Sequence, residues 1–376
     1  MSEFDDIRCY YDEDVEPAIQ RLLSEPFFIK AVQYLHPDWT EEIIRSEFSK
    51  IKTIRQFQES VIYATVNSVL KKTTAGVTQT GLEQIEKDKP CLYISNHRDI
   101  VLDSAFLNII LFNHGYDTTK IAIGDNLLIY PWIVDLVKLN RSFVVKRSLP
   151  RMEKIIASRK LSAYIRHSIL HEKTSVWIAQ REGRAKDGND RTHPGLLKMI
   201  ASSGSEDFYE NFKEIRVAPL AVSYEFDPCD ALKTKELLAR ANQSYTKKPE
   251  HDLNSMYTGI MGMKGRVHFS FGPPMDEEIK AIAEMASKND QFDVLADLLD
   301  SHIHSSYRLW PSNYAAYDLL TGGESQAANY TEADLNFFKD YMNEKLNSAQ
   351  VYGPDAVRIF LEMYANPVKN QLAQRG

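Results

Sequence analysis

The chain has 376 residues, of which 43% are hydrophobic and 26% are charged, as in a globular protein long enough for two or three domains. The net charge is −7 and the isoelectric point is about 5.9, which argues against nucleic acid as a partner of the whole surface. Cys9, Cys91 and Cys229 form no Cys-x-x-Cys pair, so the pattern favours a reducing compartment, without disulfides or a zinc ribbon.

Residues 1–75 carry the pattern of amphipathic helices and lack a strand pattern. Apolar residues recur every three or four positions in EPAIQRLLSEPFFIKAVQYL and in SEFSKIKTIRQFQESVIYATVNSVLKK. That periodicity places the apolar side chains on one face of a helix. The sequence therefore predicts a helical N-terminal region that packs against the rest of the protein.

Between residues 76 and 295, short β-branched or aromatic runs alternate with helical patterns. Such alternation predicts an α/β domain around a mainly parallel or mixed sheet. Pro219 lies inside one run and predicts an edge strand or a bulge there, because proline cannot donate a backbone hydrogen bond. The runs are CLYIS (91–95), KIAIG (120–124), SFVVKR (142–147), SVWIA (175–179), VAPLAVSYE (217–225) and RVHFSFG (266–272).

Residues 296–376 again carry helical patterns, so a helical C-terminal region is expected, with His302 and His304 exposed on a helix. The most apolar stretch of the chain, IAIGDNLLIYPWIVDLV at 121–137, is interrupted by Asp125, Pro131 and Asp135. A membrane-spanning helix needs about 20 nearly uninterrupted apolar residues. No membrane-spanning helix is therefore predicted.

The segment YISNHRDIVLDS, residues 93–104, places His97 directly after the run CLYIS. In parallel sheets, functional loops lie beyond the carboxyl ends of the strands. A histidine there can take a proton from a hydroxyl, and a carboxylate, Asp103 or its rival Asp99, can hold its tautomer and stabilise its positive charge. In the structural alternative, Asp103 caps the following helix and His97 makes a local hydrogen bond. These residues alone leave both interpretations with equal weight.

Basic side chains follow two further strand runs. Lys146 and Arg147 end SFVVKR, and Arg184 and Lys186 flank a turn in AQREGRAKDGNDRTHPGLLKM, residues 179–199. Two cations on one loop can hold a phosphate. For the basic residues of the long helical pattern that begins at Arg151, a solvated basic face is the simpler explanation.

Together these stretches resemble the glycerol-3-phosphate and 1-acylglycerol-3-phosphate acyltransferase superfamily over residues 91–225. Its motifs occur in the same order: His-x4-Asp, G-x-x-F-I-x-R, E-G-[GT]-R-S-R and V-P-V-x-x-x-Y. GDNL at 124–127 and the YE that closes the last motif resemble the bacterial glycerol-3-phosphate enzymes. The chain departs from the pattern at three places. Five residues separate His97 from Asp103, Arg141 replaces the usual glycine, and Glu182 is one position too close to Arg184.

The resemblance implies an α/β acyltransferase domain, 76–295, between helical regions 1–75 and 296–376. It implies an O-acyltransferase of phospholipid biosynthesis that takes acyl groups from acyl-CoA or acyl carrier protein to glycerol 3-phosphate or a lysophospholipid. His97 would be the general base, with Asp103 to orient it, and no metal or cofactor is expected. The acceptor phosphate would be held by Lys146, Arg147, Arg184 and Lys186, and the further candidates are Arg98, Asp99, Glu182 and Gly183.

Two other functions stay open on the sequence. One is a hydrolase that uses the same histidine to activate water on a thioester or phosphoester. The other is a non-catalytic protein that binds lipid or an acyl carrier. Because the expected product is a lipid and no spanning helix is predicted, the expected location is the cytoplasm, with peripheral contact to the inner face of the cell membrane.

Overall fold

Seven strands form one mixed sheet in the computed structural model, which describes residues 3–285 and 287–374. They are β1 (Thr74–Thr80), β2 (Leu92–Ser95), β3 (Lys120–Gly124), β4 (Ser142–Val145), β5 (Val176–Ala179), β6 (Val217–Tyr224) and β7 (Gly265–Phe271). Their order across the sheet is β1-β7-β6-β2-β5-β3-β4. Every neighbouring pair is parallel except β6 and β7. The predicted α/β fold with a mixed sheet is therefore confirmed.

Helices flank the sheet at both ends of the chain, as predicted. Before β1 come α1 (Asp12–Leu23), α2 (Pro26–Leu35), α3 (Glu41–Ser49), α4 (Ile54–Phe57), a π-helical turn (Gln58–Tyr63) and α5 (Ala64–Thr73). After β7 come α13 (Asp276–Ala283), α14 (Lys288–Ser305), α15 (Pro311–Thr321), α16 (Glu332–Ser348) and α17 (Pro354–Ala373). The boundaries at 75 and 295 stay a prediction, although β1 begins at Thr74 and α14 continues across residue 295.

Further helices connect the strands. They are α6 (Leu102–Asn113), α7 (Pro131–Leu139), α8 (Arg151–Leu170), α9 (Pro194–Ala201), α10 (Phe208–Lys213), α11 (Asp230–Ala241) and α12 (Pro249–Met261). Short 3-10 turns occur at Leu82–Gln84, Asp125–Leu127 and Ala327–Asn329. Within the described residues, each helix is too short or too polar to cross a bilayer.

The central strands are buried on both faces of the sheet. In β2, Leu92 and Ile94 belong to a core cluster that includes residues of α8, α9 and α14, whereas Tyr93 belongs to a second cluster with α6. All residues of β2 and β6 are buried. Strands with two buried faces have nearly continuous apolar sequences, which explains why these strands could be predicted from the sequence.

Pro219 lies in a central strand, so the prediction of an edge strand or a bulge at this position is wrong. Its strand, β6, pairs with β2 on one side and β7 on the other, without a register shift. The backbone N–H of Gly272 donates to Pro219 O at 2.9 Å, which shows that this face of Pro219 points towards the end of β7. A backbone N–H at this position, which proline lacks, would point in the same direction as the carbonyl, beyond the last residue of β7. Its absence therefore removes little of the hydrogen bonding between β6 and β7.

Candidate active site

Four parallel strands bring their carboxyl ends to one edge of the sheet, which we call the carboxyl edge. β2, β5, β3 and β4 are neighbours and run in the same direction. The segments after β2, β4 and β5 contain every candidate site residue predicted from the sequence. The turn Asp125–Leu127 follows β3 at the same edge.

His97 and Asp103 are in direct contact. His97 Nδ1 is 2.8 Å from Asp103 Oδ2, and the same oxygen accepts the backbone N–H groups of Arg98 at 2.7 Å and Asp99 at 3.1 Å. The extra residue between the pair is accommodated because the turn wraps around the buried carboxylate. Since a carboxylate can only accept, Nδ1 carries a hydrogen, and in the neutral imidazole Nε2 therefore carries the lone pair. Among the residues that the structure describes, Nε2 has no hydrogen-bond partner.

Asp99, the rival of Asp103, has a different role. Its Oδ1 accepts the backbone N–H groups of Val101 at 2.9 Å and Leu102 at 2.8 Å, which satisfies donors at the start of α6. Burial raises the pKa of Asp99, and the nearby charge of Asp103 adds to the effect. Asp99 therefore makes the helix cap that the structural alternative assigned to Asp103, and Asp103 contacts His97 instead.

Arg147 joins three of the loops at the carboxyl edge. Its backbone N–H is 3.2 Å from both carboxylate oxygens of Asp125, after β3. Its guanidinium lies 3.4 Å from Asn126 Oδ1 and 3.7 Å from Glu182 Oε1, after β5. Glu182 itself is mostly exposed, and Gly183 follows it with a φ of 73°, in the left-handed region that glycine adopts without strain.

Arg184 is the candidate cation with an unsatisfied donor. Its Nη1 is buried and has no hydrogen-bond partner within residues 3–285 and 287–374. Burial disfavours the charged guanidinium, but the neighbouring Cys229, Asp99 and Asp227 outweigh this and raise the pKa of Arg184. A buried donor without an acceptor costs about 1–3 kcal/mol, so an anion at this nitrogen would relieve that cost.

Lys146 and Lys186 are already paired with carboxylates. Lys146 forms an ion pair with Asp6, which also binds Lys160. Successive residues of an extended segment point in opposite directions, so Lys146 diverges from Arg147. Lys186 forms an ion pair with Glu236 of α11. The four predicted cations therefore do not form one cluster.

Arg141 occupies the position where glycine is usual in the resembling family. Its φ is 56°, in the left-handed region, which costs a residue with a side chain roughly 1–2 kcal/mol. Its guanidinium donates to Asp117 at 2.8 Å and to the Thr118 carbonyl at 2.9 Å. These contacts offset the backbone cost of placing a residue with a side chain in this turn.

A comparison with known families supports the motif resemblance. Residues 76–223 match the family model described as Acyltransferase. This segment is an acyltransferase domain. The resemblance stated from the four motifs is therefore confirmed at the level of the family.

No curated protein matches the chain. Among solved structures, the 1-acyl-sn-glycerophosphate (LPA) acyltransferase PlsC from Thermotoga maritima is similar at 11% sequence identity and a TM-score of 0.40. The match covers 78% of this chain and 96% of that chain. A likeness this distant carries no argument about activity.

Within the acyltransferase domain, Asp190 holds both neighbours of His97. Asp190 Oδ2 forms an ion pair with Arg98 Nη2 at 2.7 Å and accepts from Asn96 Nδ2 at 3.4 Å. Asn96 also exchanges two hydrogen bonds with the backbone of Val222, at 2.8 and 2.7 Å, which continues the pairing of β2 with β6. Asp190 is 1% exposed and Asn96 is fully buried. The turn that carries His97 is therefore fixed on both sides.

Residues beyond the matched segment, 76–223, complete this network. The Tyr307 hydroxyl donates to Asp190 Oδ2 at 2.6 Å, and His304 Nε2 is 2.8 Å from the Asp190 carbonyl. Lys233 Nζ donates to the Arg98 carbonyl at 3.0 Å. His304 is fully buried, so the prediction that it is exposed is wrong, because α14 packs this side chain against the loop of Asp190.

Sequence reasoning missed Asn96, Asp190 and Tyr307 as supports of the site. Of these three, only Asn96 could have been suspected from the sequence, because it is adjacent to His97. Within the described residues, no group of three or more His, Cys, Asp or Glu side chains is arranged to hold a metal ion.

Proposed function

We propose that this protein is an O-acyltransferase of the glycerol-phosphate type, which moves a fatty acyl group from an acyl thioester to a hydroxyl. The observation that carries the proposal is the contact of His97 Nδ1 with Asp103 Oδ2 at 2.8 Å inside an acyltransferase domain. With Nδ1 held as a donor, Nε2 can accept a proton from a substrate hydroxyl. General-base help of this kind contributes about 10²–10⁴-fold in rate.

The reaction needs no covalent enzyme intermediate. His97 Nε2 takes the hydroxyl proton while the acceptor oxygen attacks the carbonyl carbon of the thioester. The carbon–sulfur bond then breaks, and the leaving thiolate takes the proton from the imidazolium, so the products are an ester and a free thiol. The Asp103 carboxylate stabilises the positive charge that His97 carries between these two steps.

The acceptor in this proposal is anionic. The unsatisfied Nη1 of Arg184 supports it, because hydrogen bonds between arginine and phosphate are strong and an acceptor is missing at this nitrogen. Arg147 is the second cation that we propose for the phosphate, since it joins the loops after β3 and β5. Lys146 and Lys186 would first have to leave Asp6 and Glu236.

The substrates follow from the same resemblance. We propose glycerol 3-phosphate or a lysophospholipid as acceptor, and acyl-CoA or acyl carrier protein as donor, in phospholipid biosynthesis. The lipid product supports a cytoplasmic protein with peripheral contact to the inner face of the cell membrane. This location also fits a chain in which no described helix can span a bilayer.

Product analysis with an acyl thioester, with and without glycerol 3-phosphate, tests the proposal. An acyltransferase gives an ester only when the acceptor is present, and His97→Ala abolishes that product without unfolding the protein. Free fatty acid that forms regardless of the acceptor would identify a hydrolase instead. A protein that binds the thioester and releases neither product would be a binding protein.

A further inference from the structure

The first half of α8 exposes aliphatic side chains to solvent. Met152, Ile155 and Ile156 are 71%, 59% and 69% exposed. They recur at spacings of three and four residues, so they share one face of the helix. The second half of the same helix is different, because Leu161 and Ile165 are buried in the core against the sheet. The exposed stripe is therefore confined to the first turns.

Basic side chains without partners surround this stripe. Arg151, Lys154 and Arg159 are exposed, and none of them makes an ion pair with another residue of the described chain. The one acidic residue of these turns is Glu153. This charge is notable in a chain whose net charge is −7. We call Arg151, Met152, Lys154, Ile155, Ile156 and Arg159 the α8 patch.

The α8 patch begins at the same edge of the sheet as the candidate active site. Five residues connect the carboxyl end of β4 to Arg151, so the first turn of α8 starts at the carboxyl edge, where His97 lies. Ile129 and Tyr130, 39% and 49% exposed, belong to the segment between the turn after β3 and α7 at the same edge. Exposed apolar surface and unpaired positive charge therefore coincide at the carboxyl edge.

We propose that the α8 patch docks the protein on an anionic lipid surface. A helix that presents a stripe of large aliphatic side chains flanked by Lys and Arg is suited to the boundary between lipid headgroups and acyl chains. The unpaired cations complement anionic headgroups. A solvated basic face would explain the charges but would not explain three exposed aliphatic side chains. The proposal rests on the proposed function, because it brings the active site to the surface where lipid acceptors and products reside.

Vesicle co-sedimentation of the full chain tests the proposal. The double variant Ile155→Ser/Ile156→Ser should bind vesicles that contain phosphatidylglycerol at least about tenfold more weakly than the parent protein. The matched control is Phe27→Ser/Tyr34→Ser in α2, because these side chains are also exposed, by 70% and 67%, but lie outside the α8 patch. The control should bind as the parent does, and both variants should keep the melting temperature.

A charge variant separates the two parts of the patch. Arg151→Gln/Lys154→Gln/Arg159→Gln should weaken binding to phosphatidylglycerol vesicles, as added salt does, and should leave binding to pure phosphatidylcholine vesicles unchanged. Equal binding of the parent to both kinds of vesicle would overturn the electrostatic part of the proposal.

Three further results would overturn the proposal as a whole. They are no vesicle binding by the parent, loss of binding only in the α2 control, and binding of an acidic acyl carrier protein through the patch in place of vesicles. Acyl transfer from acyl-CoA to soluble glycerol 3-phosphate is measured in parallel, and the double variant should keep it. If the parent binds vesicles through the patch but transfers no acyl group, the docking surface stands and the proposed function fails.

Discussion

Replacing Asp103 by asparagine tests the contact on which the proposed mechanism depends. Asparagine has nearly the same shape as aspartate, and its side-chain oxygen can still accept the backbone N–H groups of Arg98 and Asp99, which the carboxylate now accepts at 2.7 and 3.1 Å. The turn should therefore keep its conformation. What is lost is the negative charge that faces the imidazolium after His97 has taken the substrate proton.

The size of this loss can be worked out from the geometry. Asp103 Oδ2 lies 2.8 Å from His97 Nδ1, and Asp103 is fully buried. With the charge centres about 4 Å apart and an effective dielectric constant of about 20, the attraction is about 4 kcal/mol. Since each 1.4 kcal/mol or so is a factor of ten in rate, we expect kcat to fall about a thousandfold. The KM for the acceptor should change little, because Asp103 does not bind it in this mechanism.

The assay is the initial rate of thiol release from an acyl thioester at saturating acceptor, with the melting temperature as a check on folding. Asp99→Asn is the matched control, since asparagine is also a good helix cap and Asp99 does not contact the His97 ring in this structure. We expect that control to lose less than about tenfold in kcat. If Asp99→Asn were nearly inactive and Asp103→Asn nearly normal, the wrong carboxylate would have been assigned to His97.

Arg184→Ala should raise the acceptor KM about tenfold or more, as expected for the loss of about 1.5–3 kcal/mol from an arginine–phosphate contact, whereas Lys146→Ala should have a much smaller effect because Lys146 is paired with Asp6. If only the KM for the acyl donor rose, Arg184 would bind the thioester carrier and not the acceptor. Tyr307→Phe removes the hydroxyl that donates to Asp190 at 2.6 Å, so kcat, measured well below the melting temperature, should fall about tenfold while KM stays unchanged. An unchanged kcat together with a lower melting temperature would mean that the network supports folding only. Burial raises the pKa of Asp230 from 3.8 to about 6, so the folded state holds this proton more tightly than the unfolded state. The contribution of Asp230 to the free energy of unfolding should then be fully present below pH 3.8 and decrease by about 3 kcal/mol in total as the pH rises from below 3.8 to well above 6. Urea unfolding of Asp230→Asn should lack this decrease, and an unchanged pH dependence would contradict the assignment.

The elements with strong local signals could be predicted from the sequence alone. Six apolar runs coincide with strands to within two residues at each end, because these strands are buried on both faces or nearly so. β1 was missed because it is an edge strand with the sequence TAGVTQT, whose residues are partly or fully exposed. The position of His97 in the loop after β2 could also be predicted, because this loop directly follows the apolar run that forms β2.

Which side chains contact each other depends on the packing of the whole chain. Asp103 is the partner of His97 that the sequence favours and Asp99 is its rival, and the choice between them depends on how the turn wraps around one carboxylate. Lys146 and Arg147 are adjacent in the chain, yet one binds Asp6 and the other joins the loops at the carboxyl edge.

The support of the site by Asp190 and Tyr307 was beyond sequence reasoning for a physical reason. Their hydrogen bond joins residues 117 positions apart, and it forms only when the segment after α14 packs against the loop after β5. Hydrophobic periodicity records which face of an element is buried, but it does not record which element covers that face. The order of helices and strands could therefore be predicted from local patterns, whereas the network around His97 depends on contacts between segments that are distant in the sequence.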